Sequence, residues 1–133
     1  MTVNVPSGGD APIVLVVDDD EYVADTITAA LRSIKPEVIR AATAADGLRL
    51  AQERRPDIAI VDLGLPDGDG YELTRRLRAV PELADLGICI LTGYTPDEDA
   101  AREAGADAVI GKPFRLREFL ATIEGLRSSA AGA

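Results

Sequence analysis

Five short apolar runs, each leading through a tight polar connection into a helical pattern, limit what this chain can become. The runs lie at 13–17, 38–41, 58–61, 87–91 and 106–110, bounded by Gly, Pro, Asp or Thr. Apolar runs of that length between turn residues read as buried strands. Between them apolar residues recur at helical spacing: Val23, Ile27, Ala30, Leu31 and Ile34; then Leu48, Leu50 and Ala51; then Tyr71, Leu73, Leu77 and Val80. After the last strand, Leu116, Phe119, Leu120, Ile123 and Leu126 share one side of a helix over 116–126. Pro36, Pro56 and Pro81 close the first three helices, and Thr43 with Asp46 has the form of a capping box opening the second. Pro96-Asp97-Glu98 places a proline and acids in the first turn of the fourth helix, which Gly105 ends. This alternation implies an α/β fold, a doubly wound parallel sheet with helices on both faces. It forms one domain over 12–127, with loose small-residue tails expected at 1–11 and 128–133.

Composition narrows the function classes. Of 133 residues, 47% are hydrophobic but only 4% aromatic, so the core is built from Val, Ile, Leu and Ala. The net charge of −9 argues against direct nucleic-acid binding, which needs clustered Lys and Arg. No apolar run approaches the roughly 18 residues of a membrane span, and no secretory signal is visible, so a cytoplasmic protein is expected. With no histidine, His-based metal sites, Ser-His-Asp triads and a phosphohistidine within the chain are excluded. The single cysteine, Cys89, lies in an apolar run and is expected to be buried.

In an open parallel sheet, ligands gather outside the carboxyl ends of the strands. Here the first strand ends in Asp18-Asp19, the third in Asp62, the fourth in Thr92, and the fifth leads into Lys112. Three carboxylates on one rim repel one another. An ammonium group, Lys112, relieves that repulsion, and so does a divalent cation. Hard oxygen ligands without His or Cys point to Mg²⁺, with Mn²⁺ as a substitute. The set suits phosphoryl transfer: Asp62, alone at its strand end, is the nucleophile, Asp18 and Asp19 favour the metal, and Lys112 and Thr92 face the phosphoryl oxygens.

The same residues carry a resemblance. Val16-Val17-Asp18-Asp19-Asp20, Pro56-Asp57-Ile58 through Asp62 to Leu65-Pro66-Asp67-Gly68-Asp69-Gly70, Leu91-Thr92-Gly93, and Gly105-Ala106-Asp107 through Lys112-Pro113-Phe114 resemble, in order and spacing, the receiver domain of bacterial two-component response regulators. The resemblance covers about residues 12–127. It implies the flavodoxin-like fold with strand order 2-1-3-4-5, for which the chemotaxis receiver is a standard example. By position, it implies that Asp62 accepts the phosphoryl group. Asp19 then binds Mg²⁺ directly, Asp18 largely through water, and Gly64 through its backbone carbonyl, while Thr92 and Lys112 respond to the phosphoryl group. The Lys112-Pro113 bond matches one that is cis in the family. The implied donor is a histidine kinase or a histidine phosphotransfer protein, and the readout is a downstream protein partner or a change in self-association, including a homodimer. The chain is not an enzyme in the ordinary sense: self-phosphorylation from a donor and autodephosphorylation are its only expected reactions. Both a stand-alone regulator and the receiver of a hybrid kinase fit.

Two positions depart from the family. The place three before the lysine, often Tyr or Phe, is Val109, so the usual threonine–aromatic coupling is in question. Two after Asp62 stands Gly64, with no side chain to orient a hydrolytic water, and two after Thr92 stands Tyr94, which implies slow to moderate loss of the phosphoryl group. Three other readings compete. A haloacid-dehalogenase-like phosphohydrolase would use Asp18 and Asp20 as its Asp-x-Asp pair, but it needs a further acidic pair after the lysine strand, where only Glu118 and Glu124 stand in a helical pattern. A calcium loop at Asp67 and Asp69 fails because Leu65 and Arg76 occupy positions that need acids; those aspartates read as turn residues. An interaction module that keeps the fold without phosphorylation is the third.

Overall fold

The computed structural model of the chain describes residues 11–132, with side chains through 127. Five strands, β1 (Ile13–Val17), β2 (Glu37–Ala41), β3 (Ile58–Asp62), β6 (Gly87–Thr92) and β7 (Ala108–Gly111), pair in parallel in the order β2-β1-β3-β6-β7. Counting these long strands alone, the order is 2-1-3-4-5. The remaining two strands, β4 (Gly64–Leu65) and β5 (Gly68–Asp69), form a small antiparallel ribbon just beyond β3. The helices are α1 (Glu21–Ala30), α2 (Ala44–Arg54), α3 (Gly70–Ala79), α4 (Glu98–Ala104) and α5 (Leu116–Gly132).

The continuous apolar runs are explained by burial on both faces, since successive residues of a strand point to opposite sides. Leu15, Val17, Ala59, Val61, Ile88 and Ile90 face Ala51, Leu73, Leu77 and Ala101 of α2, α3 and α4. Val14, Val16, Ile58, Ile60, Cys89 and Leu91 face Ile27, Leu31, Phe119 and Ile123 on the α1 and α5 side. Cys89 is fully buried, and burial, with the charge of Asp107 adding, pushes its thiol up to about 12, so it is inert. Gly47 lets α2 lie close on β1, because a Cβ there would stand 2.9 Å from Val17 Cγ2.

Several element ends differ from the sequence reading. The first helix stops at Ala30 and tightens into a 3₁₀ turn over Arg32–Ile34, with Lys35 left-handed at its end. Pro96 lies outside α4, whose cap is Asp97, its side chain accepting from Ala100 N; a proline directly before a cap aspartate mimics a first-turn proline in sequence. The last strand begins at Ala108. The backbone of α5 stays helical through Gly132, where a loose tail was expected from 128. Its Ser-Ala-rich end carries no Pro or helix-breaking turn before that glycine, and alanine favours helix. Leu116, expected on the packing side, is 54% exposed because it stands in the first turn of α5, at the sheet rim. The expected tail at 1–11 falls almost wholly outside the described residues.

Candidate functional site

Register brings the predicted residues together. Val17 pairs with Val61, Asp62 with Leu91, and Thr92 with Gly111, so Asp18, Asp62, Thr92 and Lys112 all reach one rim. Strand alternation also sorts them by side. Asp18, Asp62 and Lys112 continue the rows of Val16, Ile60 and Ile110, which face α1 and α5. Thr92 continues the row of Ile90 on the other side.

Lys112 Nζ donates to Asp62 Oδ1 at 3.0 Å and stands 3.6 Å from Asp18 Oδ2. Burial works against the Lys112 ammonium, but the hydrogen bond and charge of Asp62, with Asp18 adding, outweigh it and hold its pKa above the ordinary lysine value. Asp18 is buried; burial pushes its carboxyl up, and the charge of Asp62 does the same, against the opposing pull of the Asp20 N–H and Lys112. Its Oδ1 accepts from Asp20 N at 2.9 Å. Its Oδ2, in a side chain only 2% exposed, is the one buried side-chain polar atom with no hydrogen-bond partner among the described residues.

Oxygens of Asp18, Asp19 and Asp62 lie within 4.8 Å of one another. An unpartnered buried carboxylate oxygen inside an all-oxygen set fits a hard divalent cation: the ion satisfies the orphan atom and the mutual repulsion together. Lys112 alone leaves Asp18 Oδ2 without a hydrogen bond.

The backbone around these groups is tightly tied. Leu63 N donates to Leu91 O at 2.9 Å and Gly70 N to Leu63 O at 2.8 Å, closing the loop that follows Asp62. Gly70 is required for this closure, because a Cβ there would meet Asp62 O at 2.7 Å. Its signal in the sequence, a glycine opening a helix just past the strand-end aspartate, is legible only once the loop is known to fold back. Thr92 is 2% exposed; its Oγ1 accepts from Tyr94 N at 3.0 Å and its carbonyl accepts from Lys112 N at 2.7 Å. It is not a helix cap, because Asp97 caps α4. The Lys112-Pro113 bond is cis, as the resemblance implied. Gly64 is exposed, and a Cβ there would meet nothing within 4 Å.

The neighbouring aspartates are helix caps more than turn residues. Asp20 caps α1 through Tyr22 N and Val23 N, and Asp69 caps α3 through Glu72 N at 2.8 Å. Asp67 reaches back to α2, accepting from Ala44 N at 2.7 Å and Ala45 N at 3.0 Å. Asp20 Oδ1 is engaged at the start of α1, and the carboxylates that converge at the rim are Asp18, Asp19 and Asp62, so the Asp18–Asp20 pairing of the phosphohydrolase reading finds no support.

Comparison with known proteins agrees. A family model described as the response regulator receiver domain matches residues 14–124. The Transcriptional regulatory protein PrrA of Mycobacterium tuberculosis is 38% identical over 122 residues, which are 90% of this chain and 52% of that protein. The KDP operon transcriptional regulatory protein KdpE of Escherichia coli is 39% identical over 112 residues, 83% of this chain and 48% of that protein. The chain thus spans about half the length of these curated relatives. Among solved structures, a CheY-like response regulator receiver domain protein from Methanospirillum hungatei superposes with a TM-score of 0.82 at 32% identity, covering 92% of this chain and 99% of that one. The chemotaxis response regulator CheY4 of Vibrio cholerae gives 0.81 at 28% identity, covering 87% and 98%. No helix among the described residues is long and apolar enough to cross a membrane.

Proposed function

The chain belongs to the response regulator receiver family of two-component signalling, and from that premise we propose that Asp62 is its phosphoacceptor. The observation that carries this reading is the Lys112–Asp62 contact of 3.0 Å beside the orphaned Asp18 oxygen. Asp18, Asp19 and Asp62, with the Gly64 carbonyl, are the groups that would hold Mg²⁺, or Mn²⁺ in its place. When bound, the cation supplies positive charge against the oxygens of the transferred group.

The reacting step belongs to Asp62. The carboxylate oxygen not held by Lys112 forms a bond to phosphorus as the bond from phosphorus to the donor imidazole breaks, leaving an acyl phosphate and the free donor histidine. Lys112 already stands against Asp62 and shifts its ammonium onto a phosphoryl oxygen. Thr92, released from Tyr94 N, offers its hydroxyl to another. A histidine kinase or phosphotransfer protein is the donor, and the acylated state is read by a downstream protein or by self-association. With Gly64 bringing no side chain, no group of that position orients a water onto the acyl phosphate, so the phosphoryl group is lost slowly to moderately.

The test is Mg²⁺-dependent labelling from acetyl phosphate and from a panel of kinases. Label is expected on the natural chain and absent from Asp62→Ala. No Mg²⁺-dependent label from any donor rejects the reading, and decay within seconds rejects the slow-loss part alone.

A further inference from the structure

The loop that carries Gly64 has a base tied to the sheet through Leu63 and a tip held by something else. Its base is fixed where Leu63 N meets Leu91 O and Gly70 N meets Leu63 O. From there it rises as the two-residue ribbon, Gly64 opposite Asp69 and Leu65 opposite Gly68. Apart from this ribbon pairing nothing packs against Gly64, since it is exposed and even an added Cβ would touch nothing. Beneath the tip lies a small cavity of about 100 Å³, lined among others by Ala44, Leu48, Asp67 and Leu73, so packing under it is incomplete. What holds the tip is the Asp67 carboxylate, both of whose oxygens take N–H groups of the first two residues of α2. Those N–H groups have no partner within their own helix. Their pull holds the Asp67 carboxyl below its usual range.

We infer that Asp67 is a positioning residue for the cation site: by gripping the start of α2 it sets where the Gly64 carbonyl stands. The inference rests on the proposed role of Gly64 as a ligand. Asp67 lies three residues from Gly64 across a two-residue ribbon, so freedom at the tip is passed directly to the carbonyl. Thr43 caps the same helix through Asp46 N at 3.1 Å but has no tie to the loop. The two caps therefore separate helix stability from loop position. Coupling between sites is reciprocal. A cation on Gly64 then tightens the grip of Asp67 on Ala44 and Ala45.

The test compares the natural chain with Asp67→Ala, Asp67→Asn and Thr43→Ala by NMR titration with Mg²⁺, thermal melting, and amide hydrogen exchange. Removing an outer support of a metal site weakens affinity by about tenfold or more. That loss is expected for Asp67→Ala, with Asp67→Asn intermediate. Thr43→Ala is expected to lower the melting temperature while leaving Mg²⁺ affinity unchanged. In the natural chain, saturating Mg²⁺ is expected to slow exchange at the Ala44 and Ala45 amides, and in Asp67→Ala it is not. Unchanged Mg²⁺ affinity in Asp67→Ala, or an equal loss in Thr43→Ala, overturns the inference. If Asp67→Ala does not fold, Asp67→Asn and the exchange measurement on the natural chain decide. Labelling by acetyl phosphate is measured alongside: absence of label on the natural chain defeats the phosphoacceptor reading, whereas normal label with Asp67→Ala binding Mg²⁺ normally defeats only the role of Asp67.

Discussion

Asp18 shows at the scale of one residue how a site opposes the fold that carries it. Its carboxyl is buried, one oxygen has no hydrogen bond, and Asp62 repels it. Its raised pKa means that the folded state favours the neutral form, so an uncharged isostere is expected to stabilise the chain. Asp18→Asn keeps an acceptor for Asp20 N and offers Asp62 a donor. Calorimetry in the presence of a chelator is expected to show a gain of roughly 1 kcal/mol, a few degrees in melting temperature. The same variant is expected to lose Mg²⁺ binding and phosphorylation. A melting temperature below that of the natural chain would show instead that the Lys112 contact outweighs the burial of Asp18. Asp18, Asp62 and Lys112 were legible in the sequence because strand ends are legible and strands alternate. Gly70 was not, because its constraint is a backbone oxygen brought near by a fold-back that no local pattern announces.

At the scale of elements, the helices reveal what local patterns hide. Apolar spacing locates α1, α2, α3 and α5 well, since each buries one stripe on the sheet. Their ends depend on single capping groups, and Asp67 caps a helix 22 and 23 residues before it, beyond any local window. Its lowered pKa gives the sign of an acid effect: the ionised cap stabilises the chain fully above the ordinary carboxylate value of 3.8 and stops doing so as pH falls through the lower folded value. Acid unfolding is therefore expected to narrow the gap in stability between the natural chain and Asp67→Asn in that range. A gap that stays constant as pH falls contradicts this.

Arg78 is the second device that the helical pattern conceals. It sits on α3 as one of three arginines, yet it alone turns inward. Its guanidinium donates to Gly105 O at 2.7 Å, Leu86 O at 2.6 Å, Ala84 O at 3.3 Å and Asp107 Oδ2 at 2.8 Å. Asp107 Oδ2 in turn accepts from Ile88 N at 2.9 Å. The side chain therefore ties α3 to the start of β6 and to the turn between α4 and β7. Gly105 is fitted to it, since a Cβ there would stand 2.7 Å from Arg78 Cγ. Losing these bonds strands several carbonyls, and Arg78→Ala is expected to cost about 2–3 kcal/mol in urea unfolding. Arg78→Lys recovers only part, because an ammonium cannot reproduce the planar fork. Full recovery by lysine would mean that charge, and not geometry, is what holds this corner.

For the whole molecule, the question is how charge at one rim reaches a partner when Val109 stands where an aromatic side chain often reports the switch. In the proposed function, phosphorylation of Asp62 adds about −1.5 to −2 charge beside Asp18 and Asp19. Lys112 is already in place, so the group with furthest to go is Thr92. Its hydroxyl is tied to Tyr94 N, and its carbonyl is tied to Lys112 N across β6 and β7. Turning Thr92 toward a phosphoryl oxygen breaks the first tie and keeps the second. The connection from Gly93 to Asp97 is exposed throughout, with Tyr94 83% exposed, so nothing else on the buried side holds its start. Pro96 rests on Gly111, where a Cβ would stand 3.3 Å away, so movement of this connection is transmitted to the end of β7 without passing through Val109. Phosphorylation is therefore expected to speed amide exchange at Tyr94 several-fold, with no matching change over α2. Val109→Ala is expected to preserve that response. Thr92→Val, which removes the acceptor, is expected to raise exchange at Tyr94 before any phosphorylation and to leave little further change after it. A response carried instead by Val109 and α5, with Tyr94 protected in both states, would show that the signal leaves through the other side of β7.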